Sequence, residues 1–269
     1  MSDGIQEFFG LHRRPFDKDL PDEALWLDTG RAEAVDRLTD AVTARQHALV
    51  LGEPGVGKNC VLRALKARLS PVHYRLTYIA QTGLGKRDFY RQICQTLDLG
   101  CKLMPASMYA AIQQSLAALA ADRVHPVLVL DEAHLLPDDT LGTLHVLANF
   151  AWDAVPILSL VLVGLPELGD RLKLGVHRSL LTRMGTRVTL APTTPEQTAI
   201  YVKRRLDDAG AKQDLFAPDA LTVLHELSGG VLRSLDVLAD HSLRLAAQQR
   251  CKLVDRAIVR RAIQLTPLA

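Results

Sequence analysis

The sequence predicts an α/β fold in which a parallel sheet is sandwiched by helices and is followed by a small all-helical domain. Over residues 31–191, short apolar runs typical of buried strands alternate with stretches of helical periodicity, the pattern of a parallel sheet with helical crossovers. A glycine-rich turn follows the first strand, and a later strand ends in two carboxylates. Beyond residue 192 only helical periodicity remains. We therefore expect an N-terminal arm (1–30), an α/β domain (31–191) and a helical domain (192–269).

Composition limits the class of protein. The chain has 269 residues, of which 48% are hydrophobic and 23% charged, as in ordinary globular proteins that bury one large core or a main and a smaller one. The N-terminus lacks the features of a signal peptide, and the longest apolar run, Val155–Leu165, is too short to span a bilayer. We expect a cytoplasmic protein with no membrane partner. The cysteines show no Cys-x-x-Cys spacing and predict reduced thiols: Cys60, Cys94, Cys101 and Cys251.

The net charge of +2 conceals an asymmetry along the chain. Residues 1–170 contain 16 basic and 21 acidic residues, whereas residues 171–269 contain 16 basic and 9 acidic ones. Such an excess of cations suggests an anionic partner for the C-terminal part. Solvated helix faces explain it equally well.

The glycine-rich turn lies between a predicted strand, Ala48–Leu51, and a predicted helix, Cys60–Leu69. The order strand, Gly-x-x-x-x-Gly-Lys, helix is typical of a phosphate-binding loop, because glycines let successive backbone N–H groups point at one anion. The helix N-terminus adds partial positive charge, and Lys58 would reach the β- and γ-phosphates. The predicted nucleotide-binding residues here are Gly52, Glu53, Pro54, Gly55, Val56, Gly57, Lys58, Asn59 and Cys60.

The residue after the lysine departs from the usual pattern. A Ser or Thr hydroxyl normally coordinates Mg²⁺ at this position, and this chain has Asn59. The Asn59 carbonyl can serve as a metal ligand, but its longer, neutral side chain suits octahedral Mg²⁺ geometry less well. We therefore predict nucleotide binding with slow hydrolysis.

Two carboxylates close the apolar run Val127–Leu130. A carboxylate at the carboxyl end of such a strand can hold the Mg²⁺ shell, and the next one can polarise an attacking water. This predicts Asp131 as a metal residue and Glu132 as a general base. His134, which has no metal-ligand spacing, is interpreted as structural.

The remaining elements follow from periodicity. Aromatic residues near the N-terminus, such as Phe9, Phe16 and Trp26, either line an adenine pocket or pin the arm to the core. Predicted strands are Tyr74–Ala80, Ile157–Val163 and Arg187–Leu190. Predicted helices cover 31–45, Phe89–Leu97, Ser107–Ala120, Leu141–Trp152, a segment ending at Arg178–Met184, Glu196–Ala209, Pro218–Leu227, Leu232–Gln248 and Val254–Gln264.

Taken together, several segments resemble AAA+ ATPases of the ExeA/TniB-like group, which includes secretion-pathway ATPases and the transposon helpers TniB, TnsC, IstB and MuB. The resemblance covers nearly the whole chain and implies a P-loop AAA+ parallel sheet, a helical lid domain, ATP and Mg²⁺. The matching segments are Phe9-Gly-Leu-x-x-x-Pro-Phe16, Gly52–Lys58, Leu128–His134, Leu147-Ala-Asn149, Val163-Gly-Leu-Pro-Glu-Leu168, Arg204-Arg-Leu-x-x-Ala-Gly210 and Ser228-Gly-Gly-x-x-Arg233.

The resemblance implies roles for individual residues. Lys58 would bind phosphates, Asp131 the metal shell, and Glu132 would be the catalytic base. Arg183 occupies the place of an arginine that reaches the γ-phosphate of a neighbouring subunit, with Arg178 as the second candidate. Arg233 matches the second sensor, which couples phosphate state to lid angle.

Two further positions bear on function. The first sensor, expected to be polar, falls at Leu165, which again predicts slow hydrolysis. Lys86 and Arg87 occupy the region where related assemblies face DNA, and phosphate contacts of this kind carry no sequence code. An ordinary solvated loop is the alternative. A second basic patch, or the outer face of the last helix, is formed by Arg250, Lys252, Arg256, Arg260 and Arg261.

Three functions remain open from the sequence. The first is an ATP-dependent regulator that forms a homo-oligomeric ring or filament on double-stranded DNA and helps a transposase, because the chain stops after the lid as the transposon helpers do. The second is a nucleotide-locked protein-interaction switch that does not bind DNA, suggested by Asn59 and Leu165. The third is a secretion-assembly ATPase of the ExeA type.

Overall fold

In the computed structural model, residues 3–80, 83–100, 104–147 and 156–265 are described. They form two compact units. The α/β unit comprises residues 29–53 and 58–190, and the helical unit comprises residues 1–28, 54–57 and 191–269. No helix within the described ranges combines the length and the apolar character needed to cross a bilayer.

The α/β unit is built on a five-stranded parallel sheet with strand order β2-β3-β4-β1-β5. Each strand coincides with a strand predicted from the sequence, although the boundaries differ by up to three residues. The strands are β1 (His47–Gly52), β2 (Tyr74–Ile79), β3 (His125–Leu130), β4 (Ser159–Gly164) and β5 (Met184–Leu190).

The two faces of the sheet bury alternate residues of each strand, as the pleat requires. Leu128 and Leu130 of β3, with Leu160 and Leu162 of β4, belong to one hydrophobic cluster. Val129 is equally buried and points the other way. Helices cover both faces: α2 (Thr29–Thr43), α3 (Lys58–Arg68), α4 (Lys86–Thr96), α5 (Pro105–Ala121), α6 (Asp138–Leu141), α7 (Leu144–Leu147), α8 (Pro166–Lys173) and α9 (Arg178–Arg183).

The prediction of one continuous helix over Leu141–Trp152 is wrong for its described part, residues 141–147. Helices α6 and α7 are separate, and residues 148–155 lie outside the described part of the chain. Gly142, which weakens a helix interior, follows α6, and the Thr143 hydroxyl donates to the Thr140 carbonyl at 3.0 Å. The helix predicted to end at Met184 ends at Arg183 instead, and Met184 is the first residue of β5.

The helical unit contains α1 (Asp3–Phe9), α10 (Pro195–Asp208), α11 (Pro218–Ser228), α12 (Leu232–Gln248) and α13 (Arg256–Gln264). Helix α1 has no counterpart among the predicted elements. The last helix was predicted to begin at Val254, but it begins two residues later. Asp255 is its N-cap and accepts the Ile258 backbone N–H at 2.9 Å, which satisfies a donor at the helix start.

Residues of the N-terminal arm belong to the core of the helical unit. Phe16 meets Phe216 edge-on, with ring centroids 6.5 Å apart, and Trp26 lies 5.1 Å from the Tyr201 ring. All four are buried. The sequence left two interpretations of these aromatic residues open, an adenine pocket or anchoring of the arm. The structure shows that they anchor the arm to the core of the helical unit.

Arg205 provides the polar connection between the arm and α10. Its side chain is 5% exposed; Nε donates to the Pro15 carbonyl at 2.7 Å and Nη2 to the Asp17 carbonyl at 2.6 Å. Nη1 donates to the Tyr201 hydroxyl at 2.8 Å, and Asp236 lies 3.7 Å away. A buried guanidinium is tolerated only with this degree of pairing.

Replacing Arg205 tests this connection. We expect Arg205→Ala to lower the free energy of unfolding by about 3–5 kcal/mol, because it removes the guanidinium from the Pro15 and Asp17 carbonyls and leaves buried Asp236 without its nearby cation. The neighbouring Arg204 is a matched control: its side chain is 50% exposed and lies 3.9 Å from Asp208, so Arg204→Ala should change stability by less than about 0.5 kcal/mol. Urea unfolding measures both, and equal effects of the two changes would contradict this interpretation.

His125 is a buried titratable group at the start of β3. Its Nε2 lies 2.9 Å from the Ser159 hydroxyl. Burial, with smaller contributions from Arg45 and His47, lowers the pKa of His125 from 6.5 to about 4. The folded state therefore resists protonation that the unfolded chain accepts, and stability is lost as the pH falls from 6.5 toward 4.

We expect His125→Gln to weaken this acid dependence. The wild type should lose on the order of 2 kcal/mol more than the variant between pH 7.5 and 4.5, which follows from the shift at His125. The exposed His73 supplies the control, since His73→Gln should leave the pH dependence of urea unfolding unchanged. An equal loss in wild type and His125→Gln would rule out this role.

Candidate functional site

The glycine-rich turn leaves β1 and enters α3 at Lys58. Gly55 and Gly57 adopt φ values of 79° and 96°, which side chains with a Cβ rarely take. The Lys58 side chain is almost buried, and its Nζ donates to the carbonyls of Gly52 at 2.7 Å and Glu53 at 3.1 Å. The ammonium group is thus held inside the turn, beside the N-terminus of α3.

The tip of the turn, residues 54–57, groups with the helical unit. A Cβ on Gly55 would lie 2.9 Å from the Arg233 Cβ and 2.9 Å from a Val231 methyl group. The Arg233 backbone N–H donates to the Gly55 carbonyl at 3.3 Å. Glycine is therefore required at this position for steric reasons as well as for its backbone conformation.

The Ser228-Gly229-Gly230 turn places the start of α12. Both glycines have positive φ, 58° and 70°, and a Cβ on Gly230 would come within 2.3 Å of the Thr193 carbonyl. The Thr193 hydroxyl donates to the Gly230 carbonyl at 2.9 Å. This turn fixes the position of Arg233, three residues further on.

Asp131 directly follows β3, at the same edge of the sheet where β1 runs into the turn before Lys58. It is 4% exposed, and its carboxylate accepts two hydrogen bonds. The Glu132 backbone N–H donates to Oδ1 at 2.9 Å, and the Tyr78 hydroxyl donates to Oδ2 at 2.6 Å. The carboxylate therefore has one fixed orientation.

The register of the sheet explains the contact with Tyr78. Tyr78 of β2 pairs with Val129 of β3, and Asp131 lies two residues beyond Val129, on the same face of the sheet. A tyrosine is long enough to reach that diagonal position. Partial burial of the phenol, followed by the hydrogen bond to Asp131, raises the pKa of Tyr78, so it remains a hydrogen-bond donor at neutral pH.

Glu132 adopts a left-handed backbone conformation, with φ 51° and ψ 36°, which is uncommon for a residue other than glycine. Its Oε2 lies 3.4 Å from the His134 Nδ1, an approach without hydrogen-bond geometry. Arg171 of α8 holds the turn that follows, donating to the His134 carbonyl at 2.5 Å and the Leu136 carbonyl at 2.8 Å. His134, interpreted as structural, thus lies beside the predicted base.

These residues fit a nucleotide-bound Mg²⁺. Such an ion takes one or two protein ligands, completes its octahedron with phosphate oxygens and water, and would neutralise charge on the phosphates. Asp131 provides an oriented carboxylate, and the exposed Asn59 offers an amide oxygen. The described part of the chain contains no group of three or more His, Cys, Asp or Glu residues that could hold a metal ion.

Arg183, the first candidate for the arginine that acts between subunits, ends α9 at the opposite edge of the sheet. Met184, directly after Arg183, pairs with His47, the first residue of β1, and a six-residue strand spans about 17 Å. The Arg183 Nη1 donates to the Ser179 hydroxyl at 2.9 Å, whereas Arg178 is exposed. Arg183 is therefore separated from the turn before Lys58 by about the length of β1.

Leu165 follows β4 and is the N-cap of α8. Its position offers no polar side chain at the exit of β4. Gly164, just before it, is crowded: a Cβ there would lie 2.9 Å from a Leu168 methyl group and 3.3 Å from the His134 backbone nitrogen.

Lys86 and Arg87 are the first two residues of α4. Arg87 is exposed and Lys86 half-buried. The acidic residue of the same turn, Asp88, pairs with Arg91 at 2.8 Å. In the C-terminal basic patch, Lys252 is engaged within its own unit, with Nζ 3.8 Å from the centre of the Phe8 ring.

Sequence reasoning missed Tyr78 and Arg171 as part of this site. Tyr78 has no motif of its own, and only the register of β2 against β3 brings its hydroxyl to Asp131. Arg171 acts from a helix that follows a different strand. One feature of the sequence could have pointed to Tyr78. It is a polar aromatic residue near the end of the predicted strand that precedes the strand ending in Asp131.

Comparison with known proteins places this geometry in context. Residues 41–172 match the AAA domain family. General secretion pathway protein A of Aeromonas hydrophila is 34% identical over 245 residues, an alignment that covers 88% of this chain and 44% of that protein. The chain therefore spans less than half the length of this relative.

Two solved structures show the same arrangement of elements. Cdc6p from Pyrobaculum aerophilum superposes with a TM-score of 0.72 at 20% identity, covering 93% of this chain and 70% of that one. The ORC1 protein of Aeropyrum pernix, solved in complex with DNA, gives 0.68 at 22% identity, covering 91% and 68%. The strand order, the family match and these structures agree, and the chain has the P-loop AAA+ fold that its sequence predicts.

Proposed function

We propose that this chain is an ATP-dependent AAA+ regulator that oligomerises on double-stranded DNA and helps a transposase engage its target. The observation that carries the nucleotide-binding part is the placement of Lys58 and the oriented Asp131 at one edge of the sheet. DNA binding draws support from Lys86 and Arg87, and from the likeness to an ORC1 protein solved with DNA. The transposase partner rests on the resemblance of sequence motifs alone.

The hydrogen bonds of Lys58 support nucleotide binding at this loop. Its ammonium group donates hydrogen bonds to two neutral carbonyls of its own loop. Phosphate oxygens offer charge-assisted hydrogen bonds, which are about twice as strong as bonds to neutral acceptors. A triphosphate would therefore replace these contacts and draw the loop N–H groups around it.

Hydrolysis is expected to be slow under this proposal. Asn59 lacks the hydroxyl that usually binds the ion, and Leu165 offers no polar group to a water. Glu132 is the proposed base, and its side chain is 46% exposed. Slow turnover suits a protein that assembles while ATP is bound and would disassemble after hydrolysis.

Lys58→Ala tests nucleotide binding. Loss of a charge-assisted contact worth about 1.5–3 kcal/mol should weaken ATP binding roughly 10- to 100-fold. Lys66, an exposed lysine of the same helix, provides the control, and Lys66→Ala should bind as the wild type does. Equilibrium titration with a fluorescent ATP analogue measures both. Unchanged affinity in Lys58→Ala would remove the basis of the proposal.

The placement of Lys86 and Arg87 favours contact with an anion. Cations in the first turn of a helix are opposed by the helix dipole, at a cost of about 0.3–1 kcal/mol each. Within the described residues neither side chain forms an ion pair that would offset this cost. A nucleic-acid backbone would supply the missing negative charge, without reading sequence.

Removing both cations should weaken DNA binding uniformly across sequences. With ATP present, we expect the double variant Lys86→Ala/Arg87→Ala to reduce the slope of log affinity against log salt by about two per subunit. The exposed Lys203 and Lys212 provide a control of equal charge, Lys203→Ala/Lys212→Ala, which should retain the wild-type slope. Filter binding of duplex DNA at several salt concentrations measures this.

Either of two results would count against DNA binding. One is DNA retention that is no tighter with ATP than without it. The other is an unchanged salt slope after loss of Lys86 and Arg87. Co-purified nucleotide, negligible turnover and no DNA retention together would favour the nucleotide-locked switch.

A second candidate function is a role in assembling secretion machinery. The observation favouring it is the 34% identity to General secretion pathway protein A across 88% of this chain. The two candidates predict different gene contexts, a transposase gene in one case and secretion genes in the other. They also differ biochemically, because only the first requires ATP-dependent retention of duplex DNA.

A further inference from the structure

Packing in the core does not explain the presence of a tyrosine at position 78. Its side chain belongs to β2, at the edge of the sheet, and the residue is 44% exposed. A tyrosine kept for packing would be buried, as Tyr90 is at 4%. The best-defined polar contact of Tyr78 is the hydrogen bond of 2.6 Å from its hydroxyl to Asp131 Oδ2.

We infer that Tyr78 is a positioning residue, which fixes the Asp131 carboxylate in the orientation that receives the Mg²⁺ shell of a bound nucleotide. This inference rests on the proposed nucleotide binding and deepens it. The Glu132 backbone N–H restrains Oδ1 at 2.9 Å, and that single bond leaves the carboxylate free to turn about it. The phenol supplies the second restraint.

The two restraints leave acceptor capacity for the metal shell. Each carboxylate oxygen has two lone pairs, so one on each oxygen remains available to metal-bound water. Hydrogen-bonding partners of metal-site carboxylates commonly tune metal affinity about 10- to 100-fold. Tyr78 would therefore act on the metal dependence of nucleotide binding and leave metal-free binding by Lys58 untouched.

The test is the Mg²⁺ dependence of nucleotide binding in the full chain carrying Tyr78→Phe. A fluorescent ATP analogue is titrated in EDTA and then at increasing Mg²⁺. We expect the Mg²⁺ concentration at half-saturation to rise about tenfold in the variant, with unchanged affinity in EDTA. A uniform loss in both conditions would indicate a merely structural role and overturn the inference.

Tyr74 supplies the matched control, because it lies on the same strand four residues earlier and its ring packs on His125 with centroids 6.2 Å apart. Tyr74→Phe removes a hydroxyl from β2 without touching Asp131, and it should leave both titrations unchanged. In an Asp131→Asn background, Tyr78→Phe should cause no further change in Mg²⁺ dependence, because the two residues act as one unit.

The outcomes separate this inference from the proposed function. If the wild type binds the analogue and Tyr78→Phe has the same or a lower Mg²⁺ half-saturation, nucleotide binding stands and the positioning role is wrong. A lower value would mean that the phenol competes with the metal shell. If the wild type binds no nucleotide in either condition, both the proposed function and this inference fail.

Discussion

The candidate site depends on the fixed register of β3 inside a parallel sheet. All strands run in one direction, so the segments that follow β1 and β3 emerge at the same edge, with β4 between them. Strand β3 is buried on both faces, and Leu128 pairs with Leu160 of β4. A slip of one residue would turn every side chain to the opposite face. Asp131 would then leave the face that it shares with Tyr78. The same apolar packing that stabilises the sheet therefore also orients the carboxylate.

The helical unit depends on a different constraint, which is the need to satisfy a buried guanidinium. Arg205 and the Pro15 carbonyl are 190 residues apart in the chain, yet they lie in one core with Phe16 and Tyr201. Burial raises the pKa of Asp236 to about 6, although Arg205 and the Tyr201 hydroxyl act in the opposite direction. A network of this kind is costly unless every member is paired. It therefore ties the N-terminal segment to α10 in one specific arrangement, which an apolar contact alone would define less sharply.

The parts of this protein that the sequence predicts well are those governed by local patterns. The β3 and β4 runs are apolar throughout, and the phosphate loop is defined by its glycines and Lys58, so both were recognisable without coordinates. Helix α1 was missed because its stability comes from the core of the helical unit and not from strong propensity within seven residues. The contact between Tyr78 and Asp131 depends on the alignment of two strands separated by α4 and α5. Lys252 appeared as part of a basic patch because sequence does not reveal the Phe8 ring that it contacts.

The organisation around Asp131 bears on which step of a nucleotide cycle this chain would perform well. Asp131 is held by a backbone N–H and by Tyr78, so a metal shell would meet a preorganised carboxylate. The neighbouring positions are less favourable for turnover, since Asn59 lacks a hydroxyl and Leu165 is apolar. Glu132 is restrained by a left-handed backbone and by the turn that Arg171 holds, which limits how far its carboxylate can move toward a water. Under the proposed function, this arrangement favours long-lived binding of nucleotide and metal over rapid hydrolysis. Long-lived binding would suit the proposed assembly on DNA, which must persist until a partner binds.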